Sequence, residues 1–476
     1  MRGTSMAEMD SLLSRFAAIV GDNNALSEPD DISPYLAEPR DLFHGRAAMV
    51  LRPGTTAEVA AILKLASETG TPVVPQGGNT GLVGGQIPDR AGRAVIVSLS
   101  RMNAIREIDV ASRTATVEAG VVLQRLQEAA DEAGLLFPLS LGAQGSCQIG
   151  GNLSSNAGGT GALVHGSARD LCLGLEVVLP TGEVLDDLRK LKKDNTGYDL
   201  KNLFVGAEGT LGIITAAVVK LVPKPRGREL AWIGLENPKA ALELFGRAQE
   251  RAGAALTAFE LAGRNALEFV LRHRDGAADP LASRHPWYVL AEISSGRSPE
   301  DARTLMEEIL GDGLERGLLA DAALAQSLAQ QAAFWHLREE MSWAQKPEGA
   351  SIKHDISVPV AAIPDFIEKA GEAVAHVSAE ARVVCFGHMG DGNLHYNVSQ
   401  PVGAERDSFL ALYRDMNDAV HAVVRAFEGS FSAEHGIGSM KRDELARTAP
   451  PVALDLMRRV KTAFDPAGIM NPGKVI

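Results

Sequence analysis

The residues best equipped for chemistry lie late in the chain. His388-Met-Gly-Asp-Gly-Asn-Leu-His395-Tyr-Asn397 is followed by Ser432-Ala-Glu434-His435-Gly-Ile-Gly. His388 and His395 flank a tight Asp-Gly-Asn turn, so two adjacent strands would present both imidazoles to one point. Glu434 would complete a three-ligand site with open positions, the arrangement that a catalytic zinc or similar divalent ion requires. The spacing is neither a zinc-finger signature nor H-E-x-x-H.

Three glycine-rich segments earlier in the chain suit a different task. Pro75-Gln-Gly-Gly-Asn-Thr-Gly-Leu-Val-Gly-Gly follows a strand and offers a run of backbone N–H groups unobstructed by side chains, a nest suited to a pyrophosphate. It lacks the Lys-Ser/Thr of a P-loop and the G-x-G-x-x-G spacing of a dinucleotide fold. Leu139-Ser-Leu-Gly-Ala-Gln-Gly-Ser-Cys-Gln-Ile-Gly-Gly-Asn-Leu-Ser-Ser-Asn-Ala-Gly-Gly adds small hydroxyl and amide side chains to the same kind of backbone. Gly206-Ala-Glu-Gly-Thr-Leu-Gly-Ile-Ile-Thr could pair its backbone with the edge of a planar heterocycle. Glycine makes up 48 of the 476 residues, about 10% against a usual ~7%, and three such clusters in one region are more than surface loops need.

The elements that must position these residues fall into two textures. Up to Val222 the pattern is α+β. Thr56 is placed to cap a helix from Ala57 to Thr69, closed by Gly70 and Pro72. Val73–Val74, Ala94–Leu99, Thr114–Glu118, Leu175–Leu179 and Ile213–Val222 read as strands, with a turn at Thr181–Gly182. Beyond Val222-Pro-Lys-Pro-Arg-Gly, strands at Leu230–Leu235, Leu256–Leu261 and Trp287–Ile293 alternate with helices near Lys239–Arg251 and Asn265–Arg272 and after Pro299. That alternation implies a second open sheet with helices packed on it. A long helix is expected from Asp321 to Ala344, and the tail Ala463-Phe-Asp-Pro-Ala-Gly-Ile-Met-Asn-Pro-Gly-Lys carries turn chemistry that fixes a backbone path.

Composition removes several classes of function. Asp plus Glu number 60 against 47 Lys plus Arg, a formal net charge of −13, so a nucleic-acid backbone or an anionic bilayer would be repelled on average. No stretch reaches the ~18–20 apolar residues of a membrane helix, and the first residues lack a signal-peptide pattern, so a cytoplasmic protein is expected. Cys147, Cys172 and Cys385 are scattered, which argues against disulfides, iron–sulfur clusters and all-cysteine zinc sites and leaves buried apolar fillers.

The three glycine segments, in this order and with Gly197-Tyr-Asp-Leu between the second and third, resemble the FAD domain of the vanillyl-alcohol oxidase/PCMH flavoprotein superfamily. Within it the likeness is to the D-2-hydroxyacid dehydrogenases: D-2-hydroxyglutarate dehydrogenase, D-lactate dehydrogenase and the glycolate oxidase flavin subunit. It runs from Tyr35-Leu-Ala-Glu-Pro-Arg-Asp to Asn471-Pro-Gly-Lys. The implied fold is α+β, a two-part PCMH-type FAD-binding domain plus a cap domain with a mainly antiparallel sheet and a C-terminal segment returning to the flavin. The corresponding boundaries are 1–41 for an N-terminal helical segment, 42–222 for the FAD domain, 223–455 for the cap and 456–476 for the returning segment.

The resemblance places FAD contacts on Pro75, Gln76, Gly77, Gly78, Asn79, Thr80, Gly81 and Leu82 of the first segment. On the second they fall at Gly142, Gly145, Ser146, Gly150, Gly151, Asn152, Ser155, Asn156 and Gly158. Glu208, Gly209, Gly212, Ile213 and Ile214 of the third segment and Asn471 of the tail complete them. Relatives that tether FAD in the first loop carry His or Cys there; Asn79 in that place implies noncovalent FAD. The family motifs H-x-G-D-G-N-x-H and E-H-G-I-G carry metal ligands, which here are His388, His395 and Glu434 on a divalent ion, zinc foremost.

Substrate-facing roles then pass to Asn397, to His435 as the base, to Arg338 in Trp335-His-Leu-Arg-Glu-Glu and to Lys353 in Ser351-Ile-Lys-His-Asp-Ile-Ser. Ser342, one helical turn after Arg338, would share its face. Ile352 and His354 stand where relatives often have Tyr or Phe. Apart from the family, Arg338 would read as a surface ion pair and Lys353 as a solvated strand residue. The implied reaction oxidises a D-2-hydroxy acid (D-2-hydroxyglutarate, D-malate or D-lactate), and two cations plus a metal favour a dicarboxylate. With no second redox centre in the chain, electrons pass to an external acceptor: a quinone, an electron-transferring flavoprotein or a cytochrome. A small-molecule acid is the expected partner, with no nucleic acid, no integral membrane association and a homodimeric assembly. The rival reading is a non-catalytic FAD-binding subunit of a glycolate oxidase-type complex.

Overall fold

The computed structural model describes residues 6–476 and divides into two units. The first contains residues up to Gly159, His165–Pro223 and His435–Ile476; the second contains Thr160–Val164 and Lys224–Glu434. Residues 435–455 thus group with the first unit, as does the tail. The N-terminal helical segment is present as a helix over Met6–Val20, while residues 1–5 lie outside the described residues.

In the first unit, Met49–Leu51 and Val73–Gln76 flank Val95–Ser98 in parallel, with Ala25–Leu26 antiparallel on the outside. The helix joining the two flanking strands, Thr56–Thr69, is capped one residue earlier than expected. Thr55, in extended conformation, accepts the Glu58 N–H at 3.2 Å through its hydroxyl, leaving Thr56 as the first helical residue. Gly70 closes the helix with φ +66°, and Val59, Ile62, Leu63, Leu65 and Ala66 form its buried face. A second sheet, wholly antiparallel, has the order Ile105–Asp109, Thr114–Glu118, Ile213–Lys220, Cys172–Val178, Val184–Asp187. The expected strand Ile213–Val222 breaks after Lys220; Val222–Pro223 pairs separately with Leu135–Leu136. All three cysteines are free and buried.

The tail is anchored beside the first glycine segment. Val73 and Asn471 exchange backbone bonds with this stretch, Val73 N to Ile469 O and Asn471 N to Val73 O, both at 2.8 Å. The buried Asp465 carboxylate accepts from the backbone N–H groups of Ile469 and Met470 at 3.0 and 2.9 Å. These bonds fix the path that the Asp-Pro-Ala-Gly turn begins.

The second unit is an eight-stranded antiparallel sheet, in the order Asp321–Leu324, Gly227–Leu235, Trp287–Ser295, Leu256–Gly263, Arg382–His388, Asn393–Ser399, Ser351–Ile352, with Asp355–Ser357 also pairing Asn393–Ser399. Asn237 and Ser298 each cap a helix whose first residue is proline, Pro238–Ala252 and Pro299–Glu315, a pairing worth ~1 kcal/mol per cap. The long helix expected over 321–344 does not form as one element. Asp321–Leu324 adds a strand to the sheet against Ala231–Gly234, and Ser327 then starts a shorter helix, Leu328–Glu340, by accepting the Gln330 N–H. Its Ala/Leu/Gln-rich sequence hides that boundary because alanine and leucine fit both states when one side is buried. One sheet face packs Cys385, Leu394, Tyr396 and Val398 against the helices Pro238–Ala252, Ile363–Val377 and Tyr413–Ala426. The opposite face is only partly apolar.

Candidate functional site

Strand alternation delivers the polar residues of the second unit to that opposite face. Across the antiparallel pair Arg382–His388 and Asn393–Ser399, His395 lies opposite Phe386, and Asn397 opposite Val384. His388, two residues beyond Phe386, therefore shares the face of His395 and Asn397, and the two imidazoles stand with ring centroids 5.9 Å apart. The neighbouring strands add carboxylates by the same rule: Glu260 is the register partner of His388 and Asp355 that of His395.

Contacts within this row are close. His388 Nδ1 donates to Glu260 Oε1 at 2.8 Å. Arg338 Nε donates to Glu260 Oε2 at 2.9 Å, its Nη2 lies 2.8 Å from the same oxygen, and its guanidinium sits 5.0 Å over the Phe386 ring. His395 Nε2 is 3.5 Å from Glu434 Oε1. Asp355, which receives the Glu434 N–H at 3.1 Å, has a carboxylate oxygen 4.0 Å from His395 Nδ1. Asp355, His395 and Glu434 each bring one ligand atom within 4.8 Å of the others, a group that His388, of the three expected ligands, does not join. Imidazole nitrogens and carboxylate oxygens at this separation suit a borderline divalent ion. The Glu260 bond commits Nδ1 of His388 as donor and leaves Nε2 as the nitrogen not engaged by Glu260.

Burial alone would push the Glu260 carboxyl up, but the charges of His388 and Arg338 outweigh it and hold the group below the usual carboxylate range. Burial likewise opposes a charge on His388, and Glu260 reverses the sign, raising it. Asn397 is buried and accepts the His354 N–H at 3.2 Å. Lys353 lies in the two-residue gap between the short strands that pair with Asn393–Ser399, half-buried, and donates to Gln345 Oε1. Ile352 is packed in the core, and His354 is buried with Nδ1 donating to Tyr396 O at 2.9 Å. Arg338 is 6% exposed, so its ion pair is an interior one and not a surface one. Ser342 is exposed in the turn after the helix ends at Glu340, so it does not share a helical face with Arg338.

In the first unit the three glycine segments meet around an open cavity. Pro75, Gln76, Gly77, Gly78, Asn79, Thr80 and Gly81 line it from one strand end, Gly150, Gly151, Asn152 and Ser155 from a short helix, and Glu208, Gly209, Gly212, Ile213 and Ile214 from the third segment. His435 lines the same cavity. Gly78 lies where a Cβ would come within 2.0 Å of Ser146 O, whereas a Cβ on Gly151 would meet nothing within 4 Å. The walls are therefore backbone on backbone at one glycine and open backbone at the other.

Leu82, Gly142, Gly145, Ser146, Asn156, Gly158 and Asn471 lie outside this lining. Several have other work. The Leu82 carbonyl accepts from Arg40, and Asn156 Oδ1 accepts from the Ser167 hydroxyl and the Arg169 N–H. Asn471 Nδ2 donates to the carbonyls of Gly85 and Glu208 at 2.9 and 2.8 Å. Glu208 itself, pushed up by burial, receives the N–H groups of Ile437 and Gly438 at 2.7 and 2.8 Å, which pull the other way. Its carboxylate thus holds the Gly-Ile-Gly loop after His435.

The sequence reading omitted Val83, Gly85, Gln86, Leu99, Gln148 and Ser154, which also line the cavity. Val83, Gly85, Gln148 and Ser154 sit inside the glycine segments already singled out, Gln86 directly follows the first of them, and Leu99 lies apart. Gln148 Oε1 is buried with no hydrogen-bond partner among the described residues, and an orphaned acceptor beside bare glycine backbone fits a cofactor that brings its own donors. Backbone N–H groups for phosphates and apolar Val83, Leu99, Ile213 and Ile214 for a ring system fit FAD.

Residues 47–187 match the model described as "FAD binding domain" and residues 224–475 that described as "FAD linked oxidases, C-terminal domain". The D-2-hydroxyglutarate dehydrogenase, mitochondrial, of Arabidopsis thaliana is 38% identical over 476 residues, 100% of this chain and 83% of its own length. A D-2-hydroxyglutarate dehydrogenase of Xanthomonas citri pv. viticola is 36% identical, covering 94% of this chain and 93% of its own. The chain belongs to the FAD-dependent D-2-hydroxyacid dehydrogenases. Its fold is that of the wider flavoprotein group: p-cresol methylhydroxylase superposes with a TM-score of 0.77 at 17% identity, covering 100% of this chain and 98% of that one.

A D-2-hydroxyacid dehydrogenase is an oxidoreductase acting on CH–OH donors, and this one carries the FAD domain that such chemistry needs. Among its described residues no helix is long and apolar enough to cross a membrane. Two carboxylates of the polar row, Glu260 and Asp355, were not foreseen from its sequence. Glu260 is remote from both histidine motifs, and only the register of the finished sheet sets it opposite His388. Asp355 sits two residues after Lys353, in a motif already noted, and the alternation of that short strand was the one available signal.

Proposed function

We propose that this dehydrogenase oxidises D-2-hydroxyglutarate, with D-malate and D-lactate as further substrates, to the 2-oxo acid. It does so with noncovalent FAD and a divalent ion, zinc foremost, and passes electrons to an external quinone, electron-transferring flavoprotein or cytochrome. The observation that carries the reading is the row of Glu260, His388, His395 and Asp355 on one sheet face, with Glu434 from a loop and the buried cation Arg338 from a helix brought against it.

His388, His395 and Glu434 would hold the ion, with Asp355 beside them. Bound there, a divalent ion supplies Lewis acidity that lowers the pKa of a substrate hydroxyl, and FAD in the glycine-lined cavity supplies a hydride acceptor. His435, next in the chain to Glu434 and lining that cavity, takes the hydroxyl proton as general base. Arg338 and Lys353 offset carboxylate charge, Arg through paired N–H groups and Lys as a point charge. Asn397 adds a neutral polar contact. The reading as a non-catalytic subunit is disfavoured because such a chain has no use for this ligand set.

Anaerobic mixing of the purified protein with D- and L-2-hydroxy acids tests the assignment. Flavin bleaching with D-2-hydroxyglutarate, lost after chelation while FAD stays bound, is expected. Bleaching only with L-acids, or undiminished bleaching in protein shown by elemental analysis to be metal-free, would refute it.

A further inference from the structure

We infer that Glu260 is a positioning residue that fixes His388 for metal binding and, through its other oxygen, sets the reach of Arg338 toward substrate. The inference rests on the metal-centred reading proposed above. Glu260 is 2% exposed and lies on the strand Leu256–Gly263, directly opposite His388 in the register. Its two oxygens are divided between two partners: Oε1 receives His388 Nδ1 at 2.8 Å and Oε2 receives Arg338 Nε at 2.9 Å.

Each bond has a distinct chemical consequence. A neutral imidazole has one donor and one acceptor nitrogen, so a carboxylate that accepts from Nδ1 fixes the tautomer with its lone pair on Nε2. Such carboxylate–histidine–metal relays orient the ring and raise its basicity as a ligand. On Arg338 the Nε/Nη2 edge faces Glu260, and the Phe386 ring lies 5.0 Å beneath the guanidinium. The edge left for a substrate carboxylate is therefore the terminal one, formed by the two Nη groups. One carboxylate thus sets both how the ion's ligand presents itself and which edge of the arginine meets substrate.

Other side chains at this position would not do both. Glutamine keeps one acceptor oxygen but turns an amide N–H₂ toward the second donor. Aspartate is one methylene shorter and cannot hold both partners across the same gap. A merely structural ion pair, by contrast, would alter stability while leaving the affinity for an ion untouched.

The test is competition for Zn²⁺ between the purified full-length holoprotein and a chromophoric chelator, with flavin absorbance and melting temperature followed in parallel. In Glu260→Gln, Zn²⁺ affinity should fall by about tenfold to a hundredfold while FAD stays bound. Arg338→Met should leave Zn²⁺ affinity near wild type and raise KM for the acid. If Glu260→Gln fails to fold because Arg338 is left buried and unpaired, the double variant Glu260→Gln/Arg338→Met removes both charges and should show the same loss of Zn²⁺. Wild-type Zn²⁺ affinity in a folded variant lacking Glu260 would overturn the inference and leave the metal reading standing. A wild-type chain that takes up no divalent ion would instead overturn the metal reading, and this inference with it.

Discussion

Gly151 offers a clean separation of cofactor binding from folding. It sits inside the short helix Ile149–Ser154, on the cavity lining, and a Cβ built on it would meet no protein atom within 4 Å. Alanine in place of a helical glycine lowers the entropy of the unfolded chain and favours the helix by ~0.5–1 kcal/mol. Gly151→Ala should therefore leave the apoprotein's melting temperature unchanged or slightly raised. The same methyl stands in space that the reading assigns to FAD, where bare backbone meets the cofactor. Losing one charge-assisted backbone contact costs ~1.5–3 kcal/mol, or roughly tenfold to a hundredfold in the Kd for FAD. Gly78→Ala is the contrasting control, because its Cβ would lie 2.0 Å from Ser146 O, an overlap with rigid backbone expected to destabilise the fold itself by ~1–3 kcal/mol. Flavin-fluorescence titration of apoprotein, beside thermal melting, reads both quantities. Wild-type FAD affinity in Gly151→Ala would refute the placement of the cofactor against this wall.

FAD should leave on acid precipitation: Asn79 gives its amide to the carbonyls of Pro34 and Ala37 and receives Gln86 Nε2, offering no tether, and flavin retained in the pellet would disprove this. Glu348 is paired with Arg382, His273 and Arg272; burial opposes its charge, but these partners win and lower its pKa from 4.5 to about 2. A folded value below the unfolded one gives stability that is present above pH ~4.5 and is lost as pH falls toward 2. Glu348→Gln should accordingly lower stability at pH 7 by about 1–2 kcal/mol after solvent screening, and the gap from wild type in melting temperature should narrow below pH 4.5; a gap independent of pH would contradict the assignment. Lys353→Met should reduce kcat/KM by roughly tenfold or more for D-2-hydroxyglutarate and less for D-lactate, whereas equal losses would place Lys353 at the carboxylate beside the hydroxyl.

The fold was legible wherever a local signal and a tertiary one coincided. The helices expected near Lys239–Arg251 and after Pro299 form there because the Asn237 and Ser298 caps, a first-turn proline and a buried stripe all agree. Over 321–344 they disagree. The composition favours helix throughout, yet an open sheet edge at Ala231–Gly234 recruits Asp321–Leu324, and Ser327 accepts the Gln330 N–H to start the helix later. No property local to the segment records that the edge exists, so tertiary pairing overrides propensity there.

The same distinction explains what was visible of the site. His388, His395 and Asn397 could be read as neighbours because a tight turn joins their strands, and a hairpin fixes register over short distances. Glu260 could not, since its meeting with His388 depends on the pairing of strands that lie far apart in the chain. Arg338 shows the cost of that blind spot. Weighed alone, it was either a surface ion pair or a substrate contact, as if its guanidinium had only one task. In the folded protein one edge is held by a buried glutamate and another remains, so an interior ion pair is compatible with the proposed substrate role on the same side chain. An arginine can do this because its five N–H donors lie in a fixed plane with separable edges. A lysine at position 338, with a single ammonium, would have to choose between Glu260 and the substrate, which is why Arg338→Lys should lose substrate affinity even though it keeps the charge.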